Sequence, residues 1–402
     1  MTAATLALTP AATTRPRLVT GPLLRLLVAD TGGLTGFYLL LSVVPLYATS
    51  TGVGGVGAGL ATGALMISTV AAECVTAALV VRFGHRAVLA TGLLLLGLPA
   101  FALPLAHGLP ALLAISLLRG LGLGILFVVC AALGAALVPA DRRGEGVGML
   151  GAIAGMPAIV AMPLGLWLAG SAGFTAVFVA GGVVALLGLV AVPGLPGRRA
   201  AGGGAGGGAG GGAGGGTDEA LGLTAGLRHP GLVRPAIVFA ATATAAGIVA
   251  TFLPAAVGHG AGTLAGAGLL TQSAAGTVAR WWAGRLGDRH GAARLLAPGA
   301  ILTAAGMLTL LLVGSPIAVL VGMVLFGAGF GVVQTASMAV MLDRVTATGF
   351  GTVSALWSIA YDAGFGAGAI GFGFLAGWTG YPVGFAVTAA VVLIALPLAR
   401  RR

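Results

Sequence analysis

The sequence predicts an all-α membrane protein with twelve transmembrane helices in two pseudo-symmetric six-helix bundles. Three observations predict this fold: an apolar composition, twelve apolar runs of helix length, and one spacing that relates the two halves of the chain. Of the 402 residues, 58% are hydrophobic and only 7% are charged. A soluble domain needs about a quarter of its residues charged, so this chain requires lipid as its solvent.

Twelve apolar runs are long enough to cross a bilayer. A hydrocarbon core about 30 Å thick needs about 20 helical residues, and helices satisfy their own backbone hydrogen bonds in lipid. The predicted spans are 22–46, 54–80, 87–105, 110–138, 147–170, 174–194, 233–256, 262–283, 293–313, 316–341, 349–376 and 380–399. No small-residue cleavage site follows the first run, so we expect the first helix to be retained.

The arginines predict the orientation of these helices. All twenty basic residues are Arg, and every one except Arg119 falls in the N-terminal segment, an even-numbered connection or the C-terminus. Arginine-rich loops stay cytoplasmic, which predicts a multi-pass protein of the bacterial inner (plasma) membrane with both termini in the cytoplasm. The net charge of +11 then reflects topology and attraction to anionic lipid, and no nucleic-acid partner is expected.

A near-pure Ala-Gly-Gly-Gly repeat at 200–216 separates the sixth and seventh runs. Such a sequence behaves as a flexible coil, and it lies where a linker between two halves belongs. We therefore predict four parts: a cytoplasmic N-terminal tail at 1–21, an N-terminal six-helix bundle at 22–194, a Gly-rich cytoplasmic linker at 195–232 and a C-terminal six-helix bundle at 233–402.

One offset of 207 residues places the first half of the sequence on the second. The matched pairs include Arg82 with Arg289, Gly84 with Gly291, Gly120, Gly122 and Gly124 with Gly327, Gly329 and Gly331, Gly173 with Gly380, and Phe178 with Phe385. Gly matches arise easily by chance in this composition, but Arg and Phe matches at the same offset do not. Two repeats of equal orientation imply an axis along the membrane normal and one central site between the halves.

The loop at 284–291 has a recognisable pattern. It resembles the cytoplasmic loop signature of the major facilitator superfamily, with Gly284, Asp288, Arg289 and Gly291 at the motif positions. The first-half copy is degraded. It keeps Arg82, Gly84 and Arg86, but it has Ala77 and Val81 where the family has Gly and Asp.

Two further stretches are similar to signatures of proton-linked members of this family. Arg119 followed by glycines resembles the helix-4 signature, and the antiporter signature of helix 5 is matched in part. The helix-5 residues that match are Gly151, Gly155, Pro157, Pro163 and Gly165, without the family's Gly-Pro pair. The resemblance implies the twelve-helix fold of bacterial drug or sugar efflux proton antiporters.

Four charged residues lie well inside the apolar runs: Asp30, Glu73, Arg119 and Asp362. A charge at the bilayer centre costs about 2.5–3.5 kcal/mol, so these residues must face a partner or a water-filled interior. We expect Arg119 to pair with Asp30, or with Glu73 as the second choice. The pair is either a static ion pair or a proton-binding site whose affinity Arg119 controls, and Asp362 is either a proton or substrate site or a hydrogen-bonding partner of a neighbouring helix. By contrast, Arg280 is expected at a cytoplasmic helix end that reaches water.

Uncharged polar and aromatic side chains inside the predicted membrane helices are candidates for binding the substrate. They are Tyr38, Gln272, Gln334 and Trp357. Ordinary packing and hydrogen bonds between helices are the alternative for each of them.

A third set of residues resembles a cytoplasmic gate. It consists of the two loop motifs and one further arginine: Arg82, Gly84, Arg86, Gly284, Asp288, Arg289, Gly291 and Arg344. Contacts there would hold one state of a bistable arrangement, whereas the alternative is charge that only sets topology.

These patterns together predict a monomeric secondary active transporter that works by alternating access. We expect proton-coupled efflux of a small drug-like or sugar-like molecule, with that substrate and protons as partners, no cofactor, no metal and no enzyme activity. A proton-linked uptake symporter and a membrane sensor that does not transport remain the alternatives.

Overall fold

The computed structural model describes residues 19–138, 143–196, 223–258, 262–346 and 349–400. Most of the predicted tail and linker, including the repeat at 200–216, lies outside the described residues. The same holds for seven of the arginines used to predict topology: Arg15, Arg17, Arg142, Arg198, Arg199, Arg401 and Arg402.

The N-terminal half forms six long helices. They are α1 (Gly21–Ser50), α2 (Gly54–Phe83), α3 (His85–Leu105), α4 (Leu109–Leu137), α5 (Arg143–Ala172) and α6 (Phe174–Gly194). Helix α1 is interrupted at Ser42, and α3 and α6 end in 3-10 turns.

The C-terminal half repeats this pattern after a short helix at Leu223–Gly226. Its helices are α7 (Pro230–Val257), α8 (Gly262–His290), α9 (Ala293–Leu312), α10 (Pro316–Leu342), α11 (Phe350–Thr379) and α12 (Tyr381–Ala399). The predicted fold class is therefore confirmed.

Eleven of these helices are long and apolar enough to cross a membrane by composition alone. The exception is α8, which the sequence also predicts as a span. It is long enough, with 29 residues, but its inner part carries Gln272, Ser273, Thr277 and Arg280. Side chains of this kind are kept away from lipid, so α8 is the helix most dependent on its neighbours.

The 207-residue repeat is also visible in the backbone. Glycines with positive φ precede α3 and α9 at equivalent positions, Gly84 at 83° and Gly291 at 88°. A second pair precedes α6 and α12, Gly173 at 85° and Gly380 at 80°. Because side chains are strained in this region of φ, glycine makes the same two tight turns possible in each half.

Helix packing repeats at the same offset. A Cβ atom added to Gly122 would lie 2.6 Å from the carbonyl oxygen of Gly92, and one added to Gly329 would lie 2.6 Å from that of Gly299. Small residues allow helix backbones to approach closely in membranes. The two halves share the spacing between these glycines, so α3 packs against α4 in the same way as α9 packs against α10.

Two helix pairs make the largest contacts between the halves, α2 with α11 and α5 with α8, and α7 adds smaller contacts with α1 and α2. We call the end of the bundle that carries Arg82 and Arg289 the arginine-rich end. Towards the opposite end, Gly59 packs against the backbone of Ala369, and the Thr251 hydroxyl donates a hydrogen bond to Thr62 Oγ1 at 3.2 Å. In α1 residues 39–45 and in α7 residues 245–254 are all buried. The halves are therefore tightly packed towards that opposite end.

Close backbone packing at Gly122 makes this glycine sensitive to substitution. We expect Gly122→Val to lower stability by about 1–3 kcal/mol, because the neighbouring atoms are backbone that cannot move aside. The apparent unfolding temperature in detergent measures this effect. Gly371→Val is the matched control, because Gly371 is exposed and has no neighbour within 4 Å. An equal loss in both variants would contradict the packing account.

Candidate functional site

Polar and aromatic side chains meet in one layer between the two halves. Glu73 lies ten residues before the end of α2, Arg280 ten residues before the end of α8, and Tyr361 eleven residues after the start of α11. At about 1.5 Å per residue, all three lie about 15 Å from the arginine-rich end. We call this layer the central layer.

Arg280 is the most connected polar residue of the central layer. Its Nη1 donates a hydrogen bond to Gln334 Oε1 of α10 at 3.0 Å, and its Nη2 donates one to Thr277 Oγ1 at 2.9 Å. The guanidinium also faces α5, since a Cβ at Gly155 would lie 4.0 Å from Nη2. The expectation that Arg280 lies at a helix end is therefore wrong, because the residue lies ten positions before the end of α8 and its side chain bonds to Gln334 of α10.

Two tyrosines share the electrostatic environment of Arg280. Tyr38 of α1 and Tyr361 of α11 both interact with the guanidinium charge and with each other. Tyr38 also interacts electrostatically with Asp30 and Asp362. Neither tyrosine hydroxyl makes a hydrogen bond with any described residue. The arrangement therefore brings α1, α5, α8, α10 and α11 to one point.

An aromatic wall lies beside this point. Phe239 of α7 stacks on Trp357 with ring centroids 4.5 Å apart and planes inclined by 17°, and it stacks on Tyr361 at 5.8 Å. Phe330 of α10 extends the stack. The Trp357 indole donates a hydrogen bond to Ser337 Oγ at 3.1 Å, which holds the ring in place. The sequence analysis missed Phe239 and Tyr361, although both lie in runs assigned to membrane helices.

The remaining cavity candidate is Gln272 of α8. Its side chain is half-buried and makes no hydrogen bond to a described residue. Its backbone packs against Gly327 of α10. A role for Tyr38, Gln272, Gln334 or Trp357 in binding substrate stays a prediction.

Two acidic residues lie at the other interface between the halves, one on each side of it. Glu73 of α2 interacts electrostatically with Asp362 of α11. Asp362 is only 3% exposed and makes no hydrogen bond with a described residue. Among the described residues no arginine lies within ion-pair distance of either carboxyl group, so this pair has no counter-ion there.

The 207-residue offset relates these two clusters. It places Glu73 on Arg280 and Gly155 on Asp362. Glu73 and Arg280 therefore occupy equivalent positions at the two interfaces, and so do Asp362 and Gly155. At the α2–α11 interface these positions carry two acids, and at the α5–α8 interface they carry one cation opposite a glycine.

Asp30 and Arg119 do not form the expected pair. Asp30 interacts with the side chain of Cys130 of α4. Cys130 lies eleven residues after Arg119 in the same helix, which is about 16 Å along its axis. The prediction failed because hydropathy gives the helix of a residue but not its depth relative to a residue in a neighbouring helix.

Glu73 is not the partner of Arg119 either. Gly120 packs against Leu65 and Ser68, and Gly124 packs against Thr69 and Ala72, so Glu73 lies further towards the arginine-rich end. Arg119 is 2% exposed, and its Nε has no hydrogen-bond partner. In the described part of the chain this guanidinium has no carboxylate within ion-pair distance.

The residues of the predicted gate lie at the arginine-rich end. Arg82 stacks on Phe83 at 5.2 Å, and the Arg86 side chain bonds to the backbone of Leu195. Asp288 and Arg344 are exposed, as is Arg289, which borders a surface pocket together with Trp281 and Arg285. Gly84 and Gly291 form the positive-φ turns, and Gly284 has no neighbour within 4 Å. These contacts stay within each half, and the gate stays a prediction.

Comparisons with known proteins agree with this architecture. The sequence profile of the Major Facilitator Superfamily matches residues 31–280 and 236–402. No curated protein sequence matches this chain.

Several solved structures share the fold. A mutant of the nucleoside transporter NupG has 12% identity and a TM-score of 0.72, covering 94% of this chain and 98% of its own. The xylose transporter XylE from E. coli, in a partially occluded inward-open conformation, has 14% identity and a TM-score of 0.72, covering 94% and 97%. A bacterial homologue of the human lysosomal transporter Spinster, inward-facing and unoccupied, has 15% identity and a TM-score of 0.73, covering 94% and 95%.

The matched family consists of multi-pass membrane proteins of the secondary transporter class and not of enzymes. The chain belongs to the major facilitator superfamily.

The position of Arg119 generates a test of its role. A buried cation without a counter-ion carries a desolvation cost that nothing compensates, and an apolar residue of similar length at this position does not carry it. We therefore expect Arg119→Met to fold with an unchanged or higher apparent unfolding temperature and to lose transport in proteoliposomes. Normal transport by this variant would assign Arg119 to packing alone.

Proposed function

We propose that this protein transports a small molecule by alternating access and exports it in exchange for protons. The observation that carries the coupling is the pair of acids, Glu73 and Asp362, at the interface that must move. The partial helix-5 antiporter signature, with Gly151, Gly155 and Pro157, supports the export direction.

The packing between the halves supports alternating access. Towards the end opposite the arginine-rich end, the contacts are glycine against backbone and one hydrogen bond between Thr62 and Thr251. Neither contact involves a buried ion pair, so separating the halves there would leave no charge uncompensated. Two repeats of equal orientation can rock about an axis along the membrane normal and expose the central layer to either side.

Glu73 and Asp362 give that movement a link to protons. Two ionised carboxylates repel each other in a medium of low dielectric, and protonation of either one removes this repulsion. Because one acid lies on α2 and the other on α11, protonation lets the halves approach and deprotonation favours their separation. The two groups would titrate as a pair rather than as separate sites.

Asp30 is the competing candidate for the proton site. It interacts with Cys130 within the N-terminal half, so its ionisation acts less directly on the interface between the halves. We therefore assign the proton to Glu73 and Asp362 and use Asp30→Asn as the comparison.

We expect Glu73→Gln and Asp362→Asn to lose at least about tenfold of the flux driven by a pH gradient, as positioned acid–base groups commonly contribute 10²–10⁴-fold to their step. Both variants should keep the exchange of substrate across the membrane at equal pH, because exchange moves no net proton. Proteoliposome flux of a panel of drug-like and sugar-like compounds measures both activities.

Asp343→Asn is the matched control, because Asp343 is exposed at the end of α10 and should leave both activities unchanged. Loss of gradient-driven flux in Asp30→Asn alone would move the proton site to Asp30. Gradient-driven accumulation in the opposite direction would indicate an uptake symporter, and absence of flux for every compound would favour a sensor.

A further inference from the structure

We propose that Arg280 is the anion-binding group of the central layer and that the transported molecule carries one carboxylate on an apolar body. This inference rests on the proposed transport function and specifies its substrate class. It is carried by the geometry around Arg280 and by the absence of a carboxylate partner among the described residues.

The charge of Arg280 is not neutralised by any described residue. Its hydrogen-bond acceptors, Gln334 and Thr277, are neutral. The groups within its electrostatic reach are the hydroxyls of Tyr38 and Tyr361, and the two acids of the layer interact with each other across the α2–α11 interface instead. A guanidinium cannot be deprotonated, and a charge inside a membrane protein normally has a partner. We infer that the ligand supplies it.

The guanidinium still has donors to offer. Of its five N–H groups, one is used by Gln334 and one by Thr277, which leaves three. A carboxylate takes two parallel N–H donors from one guanidinium. The hydroxyls of Tyr38 and Tyr361, which interact electrostatically with this guanidinium and make no hydrogen bond to a described residue, are further donors available to a ligand.

Gly155 leaves room for that carboxylate. A Cβ placed there would have one non-local neighbour within 4 Å, namely Nη2 of Arg280 at 4.0 Å. The space beside the guanidinium on the α5 side is therefore open, although α5 and α8 pack together towards the opposite end, where Gly266 faces Pro163. The repeat partner of this glycine is Asp362, so an acid stands at the equivalent place in the other interface.

The surroundings favour a monoanion with an apolar body. A single guanidinium matches a single negative charge, and the other arginines of α8, Arg285 and Arg289, are exposed at the arginine-rich end. The wall beside Arg280 consists of stacked rings, with Trp357 and Tyr361 against Phe239. Aromatic faces of this kind bind apolar and aromatic groups by stacking and burial of surface.

Three compounds of similar size share a naphthalene ring and differ in charge: 2-naphthoate, 2-naphthamide and the 2-naphthylmethylammonium ion. Comparing them separates the effect of ligand charge on affinity from the effect of ligand size. Calorimetric titration of the purified full-length protein measures their affinities. We expect the wild type to bind the acid about tenfold or more tightly than the amide, since hydrogen bonds to charged groups are stronger than neutral ones, and to bind the cation most weakly. Equal affinity for acid and amide, no measurable affinity for the acid, or preference for the cation would overturn the inference.

Variants at the two facing positions sharpen the test. Arg280→Gln should abolish the preference for the acid, and Arg280→Lys should keep part of it. Gly155→Asp should remove acid binding, because it places a carboxylate against the guanidinium, whereas Gly155→Asn has the same size without charge and should keep the preference. Arg285→Gln removes one charge from α8 outside the layer and should leave all three affinities unchanged.

Retention of the acid preference by Arg280→Gln or by Gly155→Asp would also overturn the proposal. Monodisperse elution and an unchanged apparent unfolding temperature show that each variant is folded. Counterflow of the same three compounds in proteoliposomes distinguishes the two levels of the hypothesis. Binding of the acid without flux of any compound would contradict transport but keep the anion site, and flux of the amide or cation without the acid would contradict the anion site but keep transport.

Discussion

The cost of placing an ionisable group in hydrocarbon governs the arrangement of this protein. Four charged residues lie in the predicted bilayer core, away from the ends of their helices. Arg280 is a fifth, and it lies about 15 Å before the end of α8. Such side chains are stable only where they meet water, a partner or each other. Glu73 and Asp362 interact electrostatically across one interface, Asp30 interacts with the Cys130 side chain, and Arg280 donates hydrogen bonds to Gln334 and Thr277. The interface between the halves is where most of these groups can be accommodated.

The sequence repeat determines how the helices pack in each half, and the positions where the repeats differ carry the charged residues of the interface. Glycines at matched positions pack α4 and α10 against their neighbours in the same way in both halves. Against this common frame, Glu73 and Arg280 are repeat partners of opposite charge, and Gly155 and Asp362 are repeat partners of unequal size. Opposite charges at equivalent places create two different binding environments, so protons and an anionic ligand can occupy separate interfaces of one moving layer.

Much of the fold could be predicted because membrane helices are encoded locally. Length and hydropathy identified every helix, including α8, whose polar residues make it the least apolar span. The offset between Arg82 and Arg289 identified the two halves without any structure. Glycines such as Gly84 and Gly291 then formed the equivalent turns that this offset requires.

The site was less predictable, because side chains meet only after twelve helices are set at their depths and rotations. Sequence analysis named Asp30 as the partner of Arg119, but Cys130 shows that Asp30 lies about 16 Å away along α4. It treated Arg280 as a residue of a helix end, since nothing local indicates that the side chain turns inwards to Gln334. Phe239 and Tyr361 likewise resembled ordinary core residues until the stack with Trp357 brought them to the site.

The sequence by itself thus determined the solvent, the helices, the repeat and the presence of acids and arginines inside the membrane core, because each depends on composition or on spacing along one chain. Only the tertiary structure decided which of those charges face one another. That choice depends on the relative depth and rotation of helices distant in sequence, such as α2 with α11 and α5 with α8. It therefore separates the acids Glu73 and Asp362 from the cation Arg280.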